Sequence, residues 1–120
     1  FPSKSSRSGH ISRDTFFKRL KELAVKAGMG QAVELIPGKK EEKMMMSIED
    51  GENMFFRGEE KASCAFVQVI LKDEAAFEDK AAMTAKIFDV LEQEAGIAKD
   101  DTYVNIQEYP EWGSRGVLKK

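Results

Sequence analysis

The sequence predicts an α/β (α+β) fold, a two-layer sandwich in which two amphipathic helices cover one face of a mixed sheet. Two long segments carry apolar residues at helical spacing. The segments between and after them show the alternation or the continuous apolarity of strands. The resulting order is helix, strand, short strand, long strand, helix, strand. It indicates two strand–helix–strand halves, provided that residues near the N-terminus supply the first strand.

The first helix is predicted to begin after Ser12, a residue type that caps helix N-termini, and to stop at the turn signal Pro37–Gly38. Gly28 and Gly30 are expected to weaken or bend this helix, because glycine is a poor helix former. The predicted apolar stripe comprises Phe16, Leu20, Leu23, Ala24 and Ala27.

The second helix, over residues 74–94, is the clearest element of the chain. Gly96 follows it in the position where a left-handed residue ends many helices. The predicted stripe comprises Phe77, Ala81, Thr84, Phe88, Leu91 and Ala95, and it is widened by Met83, Ile87 and Val90.

Two strands are predicted between the helices from short alternating segments. Residues 53–56 follow an acidic turn and can form one short strand. Residues 43–48 form the other predicted strand, with one face made of Met44, Met46 and Ile48.

Two longer strands flank the second helix. Residues 64–71 (CAFVQVIL) are almost continuously apolar, which is typical of a strand covered on both faces. Residues 102–107 alternate, so that Tyr103 and Asn105 lie on the polar side of the predicted strand. Residues 108–120 are expected to form an irregular tail with at most one short strand.

Length and composition favour one globular domain. With 120 residues, 42% of them hydrophobic and 33% charged, the chain has room for a single core and is too apolar for disorder. Residues 1–10 are serine-rich and are expected to be a flexible leader or a divergent first strand, and residues 11–120 to be the domain. A net charge of −2 argues against a nucleic-acid partner.

Membrane and metal chemistry are not indicated either. No apolar run approaches the ~20 residues that cross a bilayer, and no signal peptide is visible, so we expect a cytoplasmic protein, or one released without such a signal. One cysteine, Cys64, excludes an internal disulfide framework and favours a reducing compartment. Together with the single histidine, His10, it is a poor basis for zinc, and no phosphate-binding loop is present. We therefore expect no metal and no cofactor.

Three segments resemble the macrophage migration inhibitory factor (MIF) branch of the tautomerase superfamily, most closely its bacterial members. They lie within residues 30–116 and contain a Pro-Gly-Lys turn, an F-R-G turn and a final strand in the family's order and spacing. The segments read GQAVELIPGKKEEKMMMSIED, FFRGEEKASCAFVQV and IFDVLEQEAGIAKDDTYVNIQEYPEWGSRG.

This resemblance implies a homotrimer of βαβ–βαβ subunits with sites between subunits. It also implies keto–enol tautomerase activity on a small aromatic α-keto acid of the phenylpyruvate type. The base in the family is an N-terminal proline, whose amine loses its proton more readily in an apolar, cation-lined pocket. Carried over to this chain, the site comprises Pro2 as the base, Lys39 as the carboxylate ligand, Tyr103 and Asn105 as polar groups, and Trp112 near the pocket mouth.

Other features favour different interpretations. Phe1 precedes Pro2, so the proline nitrogen is a base only once Phe1 has been removed. Lys72, Asp73 and Glu74 stand where the family has an apolar residue followed by Gly-Lys. A binding or cytokine-like signalling module that has lost catalysis is therefore an alternative. An unrelated ferredoxin-like interaction domain is a third interpretation, which a monomer in solution would favour.

Overall fold

The computed structural model describes residues 13–120, with side chains from residue 15 onward. Its two helices, α1 and α2, span Arg13–Val33 and Phe77–Ala95. Short 3-10 turns lie at Glu41–Lys43 and Lys99–Asp101. The strands are β1 (Met54–Phe56), β2 (Glu59–Lys61), β3 (Ala65–Lys72), β4 (Thr102–Tyr109), β5 (Trp112–Ser114) and β6 (Val117–Lys119). Neither described helix is long and apolar enough to cross a bilayer.

Helix α1 is continuous through Gly28 and Gly30, so neither glycine, where weakening or bending is predicted, interrupts it. The reason is packing between the helices. A Cβ atom on Gly28 would lie 2.6 Å from both methyl carbons of Val90, closer than side chains ever approach. Gly28 therefore allows α1 to lie against α2. The predicted cap Ser12 falls outside the described residues.

The apolar stripe predicted for α1 does not face the core. Phe16, Leu20 and Leu23 are all exposed. The residues that are buried follow a second series with the same helical spacing: Val25, Met29, Ala32 and, just beyond the helix, Ile36. Periodicity cannot choose between two such series, because both place apolar residues three and four apart.

Helix α2 is buried along Met83, Ile87, Val90 and Leu91, while the predicted stripe residue Phe77 is exposed. The helix ends as predicted at Gly96, which has a φ of 68°. The amide of Gly96 donates to the carbonyl of Glu92, and the next amide reaches back to Leu91. These bonds satisfy carbonyl groups that the end of a helix leaves open.

Strands β3 and β4 flank α2 and pair in parallel, which forms the predicted strand–helix–strand unit. The register sets Phe66 opposite Tyr103 at one end and Lys72 opposite Tyr109 at the other. The first strand of the other predicted half would fall on residues 1–10, outside the described residues.

The β3–β4 pair is covered on one face only. Val67, Val69 and Leu71 of β3 lie against the helices, while Phe66 and Ile70 on the opposite face are 56% and 51% exposed. The prediction that β3 is covered on both faces is therefore wrong for this chain alone. We call the uncovered side, opposite the helices, the outward face.

Residues 43–48 do not form the predicted strand, although they show the predicted alternation. Met44 and Met46 pack against the core and Met45 is 98% exposed. Among the described residues this segment has no partner strand, so its extended backbone is not part of a sheet. Alternation of apolar and polar residues indicates that one face of a segment is covered, but a strand also needs a neighbouring strand for its hydrogen bonds.

The described strands form three two-stranded sheets in place of the single mixed sheet that the sequence predicts. Two of them are antiparallel hairpins, β1–β2 and β5–β6. The first contains the predicted short strand, and the second takes up most of the tail that was expected to be irregular. Both hairpins turn on an Arg-Gly pair with positive φ, Arg57–Gly58 and Arg115–Gly116.

Candidate functional site

The turn after α1 brings Lys39 to the end of β3. Gly38, with a φ of 87°, adopts the left-handed conformation that a turn of this kind needs. The Lys39 amide donates to the carbonyl of Ile36 at 3.1 Å. From this half-buried position Lys39 Nζ donates a 2.7 Å hydrogen bond to the carbonyl oxygen of Lys72.

Lys39 lies in an open recess of about 390 Å³, which we call the Lys39 recess. The lining residues are Ile36, Pro37, Gly38, Lys39, Lys72, Asp73, Glu74, Ala75, Ala76 and Asp79. Lys72 Nζ is paired with the neighbouring carboxylate of Asp73 at 2.7 Å. Among the described residues, by contrast, no carboxylate lies within ion-pair distance of Lys39 Nζ. Its positive charge is therefore available to an anionic ligand.

Glu108, at the end of β4, holds the wall of this recess in place. Its Oε2 accepts a 2.7 Å hydrogen bond from the amide of Ala75, and its Oε1 accepts one of 2.9 Å from Lys80 Nζ. One residue along β4, the Tyr109 carbonyl accepts from the Asp73 amide at 2.8 Å. These bonds join the end of β4 to the start of α2, so the segment between β3 and α2 is fixed at both ends.

The bonds to Glu108 make part of the protein's stability depend on pH. The hydrogen bond from the Ala75 amide, and to a smaller extent the one from the Lys80 ammonium, holds the pKa of the Glu108 carboxyl below its usual range. A carboxyl whose pKa is lowered by folding stabilises the folded state fully above its unfolded pKa of about 4.3. That contribution to stability is lost as the pH falls through the lower pKa that Glu108 has in the folded state. We expect Glu108→Gln to be less stable than the parent protein at pH 7, and the difference to shrink as the pH approaches 3.

Urea unfolding of both proteins between pH 3 and pH 7 checks this expectation. Glu111→Gln is the matched control, since Glu111 is an exposed carboxylate three residues away. A difference between the Glu108→Gln and parent proteins that stays constant over the whole pH range would contradict the assignment.

Tyr103 and Asn105 lie on the outward face of β4, as the alternation of the strand predicts. Both side chains are exposed, and Tyr103 is 62% exposed. Further along the same face, Tyr109 Oη donates to Gln107 Oε1 at 3.1 Å, and Gln107 Nε2 donates to Asn105 Oδ1 at 2.9 Å. The amide N–H groups of Asn105 donate none of these bonds, so they can serve a ligand on this face.

Within one chain, Tyr103 and Lys39 do not meet. Lys39 is bonded to Lys72, which lies opposite Tyr109, and Tyr103 is six residues earlier on β4. At the rise of a strand this separation is about 20 Å. A ligand of the size of a small acid cannot span it, so the predicted residues can share a site only if different chains supply them.

A contact that the sequence did not predict lies around Tyr103. The ring of Phe56 meets the ring of Tyr103 edge to face, with centroids 5.1 Å apart and planes at 84°. The guanidinium carbon of Arg57 lies 5.1 Å from the centroid of the Phe56 ring. The F-R-G turn was the available signal, but the sequence gives no indication of which strand it packs against.

Of the two remaining predicted site residues, the structure describes only Trp112. Trp112 is half-buried in β5, opposite Lys119, and is not among the residues that line the Lys39 recess. Pro2 lies outside the described residues. Within residues 15–120, no group of three or more histidine, cysteine or acidic side chains could hold a metal ion.

Comparison with solved structures gives an informative likeness. No family model matches the chain, and no curated protein sequence does. A crystal structure of MIF2 from Leishmania major superposes with a TM-score of 0.72 and 25% identity, over 82% of this chain and 84% of that one. The chain therefore has the α+β fold of the MIF-like tautomerases, and not an unrelated ferredoxin-like fold. This neighbour gives no support to a bacterial-type branch.

Proposed function

We propose, from the tautomerase fold that this chain shares with MIF2, that it is a keto–enol tautomerase of small aromatic α-keto acids of the phenylpyruvate type. The observation that carries the proposal is the ammonium group of Lys39. It lies in an open recess, it is held by a neutral carbonyl, and no described carboxylate lies within ion-pair distance of it. A charge-assisted hydrogen bond to a substrate carboxylate is the interaction that such a group supplies best.

The ~20 Å between Lys39 and Tyr103 supports a site between subunits of a homotrimer. In this arrangement the Lys39 recess of one subunit faces the outward face of β4 of another. Tyr103 and the N–H groups of Asn105 would then hydrogen-bond the oxygen atoms of the substrate, and Trp112 would lie near the mouth. The exposed apolar residues Phe66 and Ile70 support the same assembly, because a stable protein seldom leaves such a face uncovered.

The base in this proposal is Pro2 with its nitrogen free, which requires removal of Phe1. Residues 1–10 would then include the first strand of the fold. A secondary amine in an apolar pocket titrates nearer neutrality than in water, which suits it to accept a proton at neutral pH. It takes the proton of the enol hydroxyl and returns a proton to the adjacent carbon, so that atoms and electrons balance without a cofactor. A reducing compartment, and hence a cytoplasmic location, is consistent with the single cysteine.

One observation favours a second function, a binding or signalling module on the same fold. The Lys39 recess contains two ammonium groups but three carboxylates, those of Asp73, Glu74 and Asp79. A site that must attract a carboxylate substrate is more often net positive. If the excess of carboxylates in the recess prevents catalysis, the recess binds a ligand without converting it.

The deciding experiment is the conversion of enol phenylpyruvate to its keto form, with the N-terminal residue of the protein identified by intact mass. We expect turnover when Pro2 is the first residue, and loss of that turnover when Phe1 is retained. Turnover with Phe1 still attached would contradict Pro2 as the base. Absence of turnover with Pro2 exposed would favour the binding module over the enzyme.

A further inference from the structure

The β1–β2 hairpin lies against the start of β4 through the rings of Phe56 and Tyr103. Their edge-to-face geometry, at 5.1 Å and 84°, is the arrangement that aromatic pairs prefer. Tyr103 is otherwise largely exposed, at 62%. An exposed tyrosine ring without a neighbour exchanges between rotamers, whereas a ring held at its edge by a second ring does not do so freely.

Two other contacts fasten the hairpin to the residues that lead into β4. An Nη2 hydrogen bond joins Arg57 to the carbonyl oxygen of Asp100. The Lys61 ammonium lies 3.5 Å from the carboxylate of Asp101, and both of these side chains are mostly buried. The hairpin is thus attached at its turn and at its second strand, and Phe56 has little freedom to move away from Tyr103.

We propose that Phe56 and Arg57 are positioning residues that fix the ring of Tyr103 on the outward face, and so direct its hydroxyl group toward the site. Phe56 restrains the ring directly. Arg57 restrains Phe56 in turn, by lying over its ring and by bonding to Asp100. The part of this inference that concerns catalysis rests on the proposed function. The restraint on the ring does not.

The second hairpin shows that the turn itself does not require these contacts. Arg115–Gly116 has φ values of 54° and 85°, close to the 57° and 81° of Arg57–Gly58. Arg115 is nevertheless exposed, and within the described part of the chain its side chain makes no hydrogen bond, ion pair or cation–π contact. The contacts of Arg57 are therefore specific to the β1–β2 turn, and Arg115 offers a matched control.

The restraint can be measured without any activity. The chain has two tyrosines, so selective labelling gives two sets of ring resonances, which Tyr109→Phe assigns. We expect Phe56→Leu to move the Tyr103 ring resonances to those of a freely rotating tyrosine. The control Phe55→Leu removes a neighbouring exposed ring and should leave them unchanged. Tyr103 resonances that are the same in Phe56→Leu as in the parent protein would overturn the inference.

The effect on the site is measured by a double-mutant cycle on phenylpyruvate turnover. We expect Phe56→Leu to raise KM about 2- to 10-fold, the range that loss of one aromatic pair supports. The same substitution should have little further effect in a Tyr103→Phe background, because the hydroxyl to be directed is already absent. Phe56→Tyr, which retains the ring, should restore the parent KM. Equal effects of Phe56→Leu in both backgrounds would show a general structural role and overturn the positioning role.

Arg57→Gln and Arg115→Gln provide the matched test of the second residue. Arg57→Gln should move the Tyr103 resonances in the same direction as Phe56→Leu but less far, and Arg115→Gln should not. Equal shifts of the Tyr103 resonances in the two variants would remove Arg57 from the assignment.

The proposed function and the restraint on the ring can fail separately. A parent protein that tautomerises no keto acid would contradict the proposed function. The resonances of Tyr103 would still decide whether Phe56 holds the ring.

Discussion

Replacing Lys39 with alanine is expected to raise KM for phenylpyruvate about 10- to 100-fold. A hydrogen bond to a charged group contributes ~1.5–3 kcal/mol, and this free energy corresponds to that range of affinity. Lys39 has no described ion-pair partner, so its removal leaves no carboxylate unpaired and the fold intact. Steady-state kinetics on protein whose first residue is Pro2 measures this change in KM.

Lys40 provides the matched control for this experiment. It carries the same charge one position along the chain, but it is exposed and is not among the residues that line the Lys39 recess. Lys40→Ala should therefore keep the parent KM. If the two variants lose affinity equally, the effect comes from net charge alone and Lys39 does not contact the substrate.

Replacing Met83 with alanine is expected to lower the free energy of unfolding by ~2–5 kcal/mol. Met83 is completely buried, with 0% of its surface exposed, between the helices and the β3–β4 pair. Removing its long side chain leaves a cavity that the surrounding residues of the core can fill only in part. Chemical denaturation followed by circular dichroism measures the loss.

Met45→Ala removes the same atoms from a side chain that is almost fully exposed. We expect its effect on unfolding to stay within ~0.5 kcal/mol, as for other exposed positions. The comparison separates burial from any general effect of losing a methionine. Similar losses for the two variants would mean that Met45 is covered in solution, by a second chain or by a segment outside residues 13–120.

Some elements of this fold follow from local sequence alone. Helix α2 was predicted because its apolar period, its length and its terminal Gly96 all indicate the same structure. The strand–helix–strand order of β3, α2 and β4 was predicted, and such a connection favours the parallel pairing that the two strands show. The positions of Tyr103 and Asn105 on one side of β4 also follow directly from the strand period.

Other elements depend on contacts that local sequence does not specify. In α1, the series that starts at Phe16 and the series that starts at Val25 have the same spacing, and only the position of α2 determines which is buried. Residues 43–48 alternate like a strand, but their hydrogen-bonding neighbour is not specified by their own pattern. The contacts of Glu108 with Ala75, and of Phe56 with Tyr103, join residues more than thirty positions apart. No local signal predicts which distant residue such a side chain reaches.

The close approach of α1 and α2 at Gly28 restricts how this protein can vary in evolution. Gly28 and Val90 share a space that holds the side chain of only one of them. A relative with alanine or serine at the position of Gly28 should therefore carry a residue smaller than valine at the position of Val90. The two positions would change together in related sequences, although they lie on different helices and neither belongs to the candidate site.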